Sequence, residues 1–579
     1  MSQPIRPLHR ASRIPHHASR ITHHALRNYE LRITNYASRF LLLTLCLLPL
    51  IACSPRPPAP SPIPPPTATS ALQPTQDSPP PATQPATPPA TPLATPPPAE
   101  TTASPDQALA LREEFAAEAD LFPNATRYEI DLTVADDVAS VTGHQRIAYT
   151  NTEDAPLDAL YLRLFPNTPG YGDPAASSVT HPMTVTTISL DGLPVEPAVE
   201  LNGSALRLSL EPPLEPGTGL DLVLDFALAV PTEREGESGD ERPSSGYRQL
   251  GYYDGVLALA NAYPIIPVYD DEGWNVEVAS PYGDALYSDT AFYTVRITAP
   301  AELMLAASGA CTAAVVDPAG NGTWTCVTGP VRDFNAVLGS DLRVMSDSVD
   351  GVTVNIVFVS EHEAGAWHVL DAASEAVRLF NDRFGPYPFT ELDVVETPTQ
   401  AGGIEYPGLV VINTAYYDPI SDRLEWVVVH EVIHQWWYSL VGNDQVDDPW
   451  LDEALTQYST LLYFEERYGA DVATRLIEQV FRQPYQELLQ SDRDAPVGLP
   501  VAAYAGADYG PVVYQKGPLY FHELRQEVGE RKFWRILEEY FSQNRYGVAT
   551  PEDWLAAVKA VTRDEHRDLY ERWILGTTN

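Results

Sequence analysis

At 579 residues and 44% hydrophobic composition, the chain is long enough to bury two or three domain cores and is no small disulfide-stapled scaffold. With 78 acidic against 36 basic residues its formal charge is -42, a surface that repels phosphate backbones and anionic headgroups and so excludes electrostatic binding to nucleic acid. The charge is uneven, because residues 1–52 carry seven arginines and one acid, Glu30.

That basic stretch runs into the apolar segment Phe40 to Ala52, too short to span a bilayer comfortably, and reads as an export signal. It ends in Leu50-Ile51-Ala52-Cys53, which resembles the bacterial lipobox. On this reading signal peptidase cuts ahead of Cys53, the cysteine is acylated, and the lipid is the protein's one attachment to a membrane. Residues 53–106 are dominated by Pro, Thr, Ala and Ser, too poor in large apolar groups to pack a core, and form an extended tether. The expected location is extracytoplasmic, with a lipid anchor to the bacterial cell envelope.

Residues 107–346 are expected to form an N-terminal antiparallel β domain of saddle or sandwich type. "YEIDLTV" places Tyr128, Ile130, Leu132 and Val134 on one face, "LYLRL" does the same with Leu160, Leu162 and Leu164, and Pro and Gly turns separate the segments. Within this domain "DPAGNG" reads as a hairpin turn, and in an exported protein the flanking Cys311 and Cys326 are candidates for a disulfide.

From residue 347 to 579 the period becomes helical. Trp367, Leu370, Ala373, Val377, Phe380 and Phe384 follow steps of three and four, and the strand-like "ELDVVETPTQAGGIEYPGLVVI" interrupts an otherwise helical domain. The next helix is expected to start after Ser421-Asp422 and stop at Gly442. It contains H-E-x-x-H at His430, Glu431 and His434. A step of four is just over one helical turn, so both imidazoles leave one face and can share an ion. In "DDPWLDEALTQY", Asp448 is a candidate cap, Pro449 a first helical residue, and Glu453 follows one turn in, with eighteen residues between it and His434. Two His and one Glu, with solvent in the fourth position, is the shell of a catalytic zinc, one ion per chain.

These residues carry a resemblance. "HEVIHQWW", the eighteen-residue gap and "WLDEAL" resemble the aminopeptidase N family of gluzincin zinc metallopeptidases, which share the thermolysin ligand scheme. "GGIEYPG" is similar to the family's G-x-M-E-N element, which implies that Glu405 grips the free α-amine of a substrate. "VVYQKG" is similar to its Y-x-K-G segment, which implies that the hydroxyl of Tyr514 stabilises the tetrahedral intermediate. The resemblance covers about residues 122 to 579 and implies an α+β architecture, a β saddle followed by a mostly helical thermolysin-like domain. Chemically, Glu431 is placed to take a proton from water and pass it to the leaving amine, a phenol supplies an oxyanion donor without adding charge, and the twin glycines Gly402 and Gly403 permit close backbone approach by an extended peptide.

Two departures bear on specificity. The region expected to supply a second amine-binding Gln reads "LALANAYPIIPVYDDEG", where Asn261 is too weak a substitute to count among the site residues, and Tyr406 stands where the family has Asn. The chain also stops soon after "RWILGTTN", which implies a cleft more open than in larger relatives. The expected activity is zinc-dependent removal of N-terminal residues from extracellular peptides. The alternatives are a gluzincin endopeptidase or other zinc hydrolase on the same scaffold and, more remotely, a non-catalytic surface binding lipoprotein.

Overall fold

A computed structural model describes residues 107–168, 171, 181–232, 248–277, 283 and 286–577. Cys53, the leader and the tether lie outside the described residues. The alternating pattern of Arg127–Val134 does what period two demands: Tyr128, Ile130, Leu132 and Val134 are buried and their neighbours face outward. This strand pairs antiparallel with Ser140–Thr150 and parallel with Phe292–Pro300, at the centre of a nine-stranded sheet. Leu160, Leu162 and Leu164 are likewise buried, the first two on a strand of a separate three-stranded sheet, Leu157–Arg163. At one margin of the large sheet Val315–Val316 and Asn321–Val327 form the hairpin expected around Asp317–Gly320, and Cys311 and Cys326 are disulfide-bonded across it.

A second, five-stranded sheet runs in the order Leu342–Val349, Val352–Val359, Glu391–Thr397, Leu409–Asn413 and Gly403–Ile404. The boundary expected at 346/347 falls inside the first of these strands, so this sheet begins at Leu342. A change in hydrophobic period cannot locate such a border, because both sides of it are β. Among the described residues Gly403–Ile404 pairs only with Leu409–Asn413 and forms the edge of the sheet.

The helix Glu363–Arg383 buries Leu370, Ala373, Val377 and Phe380, with Phe384 just beyond its end. Trp367 does not join them and is 57% exposed. The buried stripe is carried at that level by Ala366, Val369 and Leu370, and Trp367 stands one residue, about 100°, off it. Beyond the sheet, helices pack around a large aromatic core in which Trp436, Trp437, Trp450 and Trp554 are fully buried. Trp436 and Trp437 flank the metal motif, and their indole N–H groups are satisfied by the Gly385 carbonyl and the Ser459 hydroxyl. The scaffold behind the candidate site is therefore held on both its apolar and its polar sides.

Candidate metal centre

His430 and Glu431 lie on the helix Leu424–Ile433, and His434 caps its C-terminus. The helix expected to reach Gly442 thus stops well short of it. The chain tightens, with Trp436 N–H donating to the Ile433 carbonyl at 2.8 Å, then turns through Tyr438, whose φ of 102° no helix admits. What holds this turn comes from the β domain. Arg332, fully buried, donates through Nε to the Tyr438 carbonyl at 2.6 Å, through Nη1 to Ser288 at 3.1 Å and through Nη2 to Gly547, while the Tyr438 hydroxyl donates to Asp333. A side chain at Gly442 would overlap the Arg332 guanidinium, so that glycine is required by close packing rather than as a helix stop.

The early stop has a chemical result. The Trp437 carbonyl is free to accept from His434 Nδ1 at 3.0 Å, which fixes the tautomer and leaves the Nε2 lone pair pointing into the cluster. Glu453 enters from a single π-helical turn, Trp450–Ala454, that precedes the helix Leu455–Tyr468. Pro449 is the N-cap just ahead of this turn rather than its first residue, and the Asp448 carboxylate does not cap it and instead accepts from the Trp450 indole at 3.3 Å.

The three predicted ligands converge. His430 Nε2 is 3.2 Å from Glu453 Oε2 and 3.3 Å from His434 Nε2, and His434 Nε2 is 3.5 Å from Glu453 Oε2. Tetrahedral bonds of about 2.0–2.1 Å separate ligand atoms by roughly 3.3 Å, so this triangle has the size that zinc requires. Among the described residues it is the one group of three such side chains whose ligand atoms converge. The charges agree with a cation here. Burial opposes ionisation of Glu453, but the His430 and His434 imidazoles within 3.5 Å of its carboxylate outweigh it and hold its carboxyl far below the usual range. Burial keeps His430 below the ordinary imidazole range and so neutral. Glu405, Glu431 and Asp452 are also buried in this region, and burial raises all three, Asp452 to about 8. Burial disfavours the charged form of His434, but Glu405 and Glu453 outweigh it and hold its imidazole well above the ordinary range, so the cluster favours positive charge at this point.

The remaining predicted residues gather at the same place. Tyr514, on the π-helical turn Pro511–Lys516, donates its hydroxyl to Glu453 Oε1. Lys516 of the same motif instead anchors the turn, donating to Asp494 and Ala495 at 2.6 Å each. Glu405 follows the edge strand and acts electrostatically on both His434 and Glu431. Gln435, next to His434, clamps the backbone beyond Glu405 from both sides: its Nε2 donates to the Tyr406 carbonyl at 3.1 Å and its Oε1 accepts from Gly408 N–H at 2.8 Å.

The two glycines part company. A Cβ on Gly403 would stand 2.6 Å from Glu431 Oε1, whereas one on Gly402 would meet nothing nearer than 3.5 Å. Gly403 is thus demanded by Glu431 beneath it, and no comparable demand falls on Gly402. Gly403→Ala is expected to displace the Glu431 carboxylate and lower kcat by about tenfold or more with zinc content unchanged, measured by steady-state kinetics beside metal analysis.

Two residues absent from the sequence-based set line a small cavity of about 20 Å³ next to Glu405: Asn261 and Gln445. Asn261 carries only a faint sequence signal, in the run where a second amine ligand was sought. Gln445 carries none.

Residues 368–573 match the Peptidase family M1 domain. The chain is 26% identical over 215 residues to Aminopeptidase M1-B of Oryza sativa subsp. japonica, covering 35% of this chain and 25% of that protein. It is 27% identical over 247 residues to Aminopeptidase N of Lactobacillus delbrueckii subsp. lactis, covering 39% and 28%. The matches thus span about a quarter of the length of these relatives. Among solved structures, the M1 zinc metallopeptidase from Deinococcus radiodurans superposes with a TM-score of 0.58 at 22% identity over 79% of this chain and 97% of that one. A mutant of the Deinococcus radiodurans enzyme bound to a Tyr-ser-ala substrate gives a TM-score of 0.57 at 21% identity, over 79% of this chain and 96% of that one. The likeness to these structures establishes the two-domain fold.

Proposed function

From the premise that the chain is an aminopeptidase N-like gluzincin whose residues 368–573 form a Peptidase family M1 domain, we propose that it is a zinc aminopeptidase with one zinc per chain, held by His430, His434 and Glu453. The observation that carries this reading is the burial of Glu405, an acceptor for an ammonium group, in the same electrostatic cluster as the metal triangle. An ion and an amine acceptor fixed relative to each other measure off one residue from a peptide's N-terminus.

Bound zinc supplies a Lewis acid for the scissile carbonyl and lowers the pKa of a water molecule. The protein supplies the rest. The free edge of Gly403–Ile404 accepts the extended peptide as an added strand. Glu405 pairs with the ammonium. Glu431 takes the water's proton and returns it to the leaving amine, and Tyr514 donates to the oxygen on which charge develops.

A second acceptor for the ammonium follows from hydrogen-bond accounting. The Tyr171 hydroxyl is 3.2 Å from the Ala260 carbonyl and 2.9 Å from Asn261 Oδ1, while Asn261 Nδ2 is buried with no hydrogen-bond partner among the described residues. Amide O and N have nearly the same outline, and the hydrogen bonds around them decide which is which. With the Asn261 amide turned over, Tyr171 donates to Ala260 and accepts from Asn261 Nδ2, which leaves Oδ1 as an acceptor on a residue that lines the cavity next to Glu405. Asn261 then stands in for the missing Gln.

The decisive experiment compares a peptide with its N-acetylated form, alongside zinc analysis. Cleavage of the free peptide from its N-terminus and loss of cleavage on acetylation support the proposal. Equal cleavage of both, at an internal bond, makes the protein an endopeptidase instead.

We further propose that the enzyme works on peptides outside the cytoplasm, tethered through a lipid on Cys53. The Arg-rich leader, the Leu50-Ile51-Ala52-Cys53 sequence and the Pro-rich spacer support this. Cys53→Ser should move the protein from the membrane fraction to the soluble one without changing kcat, and retention of the variant in membranes would refute the anchor.

A further inference from the structure

Gln445 is buried, 2% exposed, and its Nε2 lies within hydrogen-bond reach of two carboxylates, Glu405 Oε1 at 3.3 Å and Asp452 Oδ2 at 2.8 Å. Its place is built by the loop around it. The Asp444 carboxylate accepts from Val446 N–H at 2.8 Å and Asp447 N–H at 3.0 Å, a turn that lifts residue 445 inward. On one side of the turn Gly442 is tied to Gly547 and Ala549, and on the other the Val446 carbonyl accepts from Val501. The loop is thus fixed at both ends, and one amide at its apex joins Glu405, just past the edge strand, to the turn that bears Glu453, through Asp452.

We infer that Gln445 is a positioning residue that aims the Glu405 carboxylate at the substrate ammonium, so that a single neutral amide couples the amine site to the metal-ligand turn. The neutrality matters. A Lys or Arg at this position would also order Glu405 but would neutralise it and compete with the substrate's own positive charge. An amide N–H₂ orders both carboxylates and leaves the charge of Glu405 available. Its two donors are sufficient for this and no more: one holds Glu405, the other ties it to Asp452, whose second oxygen is already fixed by the Glu453 N–H at 2.7 Å. An apolar side chain of equal size would keep the packing and lose the aim.

This inference rests on the reading that Glu405 binds an amine, and the test separates the two. The probes are L-alanine hydroxamate and propionohydroxamate, zinc-binding inhibitors that differ by the α-amine alone, titrated against the full-length zinc-loaded enzyme. Wild type is expected to prefer the amine-bearing inhibitor. In Gln445→Met, close to isosteric but without a donor, that preference should shrink by about tenfold through weaker binding of alanine hydroxamate only, the size expected for one lost hydrogen bond to a charged group. Gln445→Asn, which keeps the amide on a shorter arm, should lose part of the preference and serves where the first variant does not fold. A preference unchanged in both variants, or an equal weakening of both inhibitors, overturns the inference while leaving the amine reading intact. Equal affinity of the two inhibitors for wild type overturns the amine reading and this inference with it.

Discussion

Replacing Glu431 by glutamine is expected to leave zinc content and inhibitor affinity unchanged while kcat falls by about 10²- to 10⁴-fold, the range that positioned acid–base groups contribute. The variant isolates one property. Glutamine has the volume of glutamate, so the contact beneath Gly403, where no Cβ fits, is preserved. It also leaves His430, His434 and Glu453 untouched, and with them the triangle of 3.2, 3.3 and 3.5 Å that matches a tetrahedral ion. What it removes is the ability to accept a proton. Metal analysis, a hydroxamate titration and steady-state kinetics on the same preparation therefore distinguish a lost base from a lost site. A kcat within about threefold of wild type would take Glu431 out of the chemistry, and a fall matched by lost zinc would make it a structural support for the metal.

Glu431, His430, His434 and Glu453 were legible in the sequence because helical geometry makes their spacing informative: i, i+1 and i+4 on one helix, then a carboxylate after room for a turn. The same locality made Tyr128 to Val134 legible as a half-buried strand. Sequence reasoning failed where a residue's role is set by something far along the chain. The motif helix ends at Ile433 rather than Gly442 because Arg332, more than a hundred residues away, claims the Tyr438 carbonyl and the space at Gly442. Helical periodicity contains no term for that. Trp367 was misplaced for a milder reason, since a step of three or four from Leu370 is satisfied as well by Ala366, which is small, as by a large aromatic one position over. Asn261 and Gln445 line a cavity that exists only once the β domain and the loop 441–449 meet the segment that bears Glu405. A buried amide in a loop leaves no periodic trace. The twin glycines show the limit of motif reasoning in another way: the pair was read as room for a substrate, yet the crowding that demands Gly403 comes from the Glu431 side chain.

Tyr514→Phe is expected to lower kcat by about 10²- to 10³-fold, as loss of one oxyanion donor does, and the structure gives this variant a second consequence that must be separated from the first. The Tyr514 hydroxyl donates to Glu453 Oε1, the ligand oxygen's partner on the same carboxylate. Hydrogen bonds of this kind orient metal ligands, and their loss commonly weakens metal binding by about 10- to 100-fold. Phenylalanine retains the ring, which lies 6.1 Å from the His430 ring and 5.8 Å from that of Tyr509, so the aromatic packing around the π-helical turn is kept. Zinc affinity should then fall modestly, and the two roles come apart on adding zinc. At saturating metal the zinc occupancy is restored by mass action, and the remaining deficit in kcat is no longer due to lost metal. A large residual deficit with KM near wild type is the expected result, because an oxyanion donor acts on the transition state more than on bound substrate. Full recovery of kcat in excess zinc would instead confine Tyr514 to holding Glu453, and the oxyanion would have to be stabilised without it.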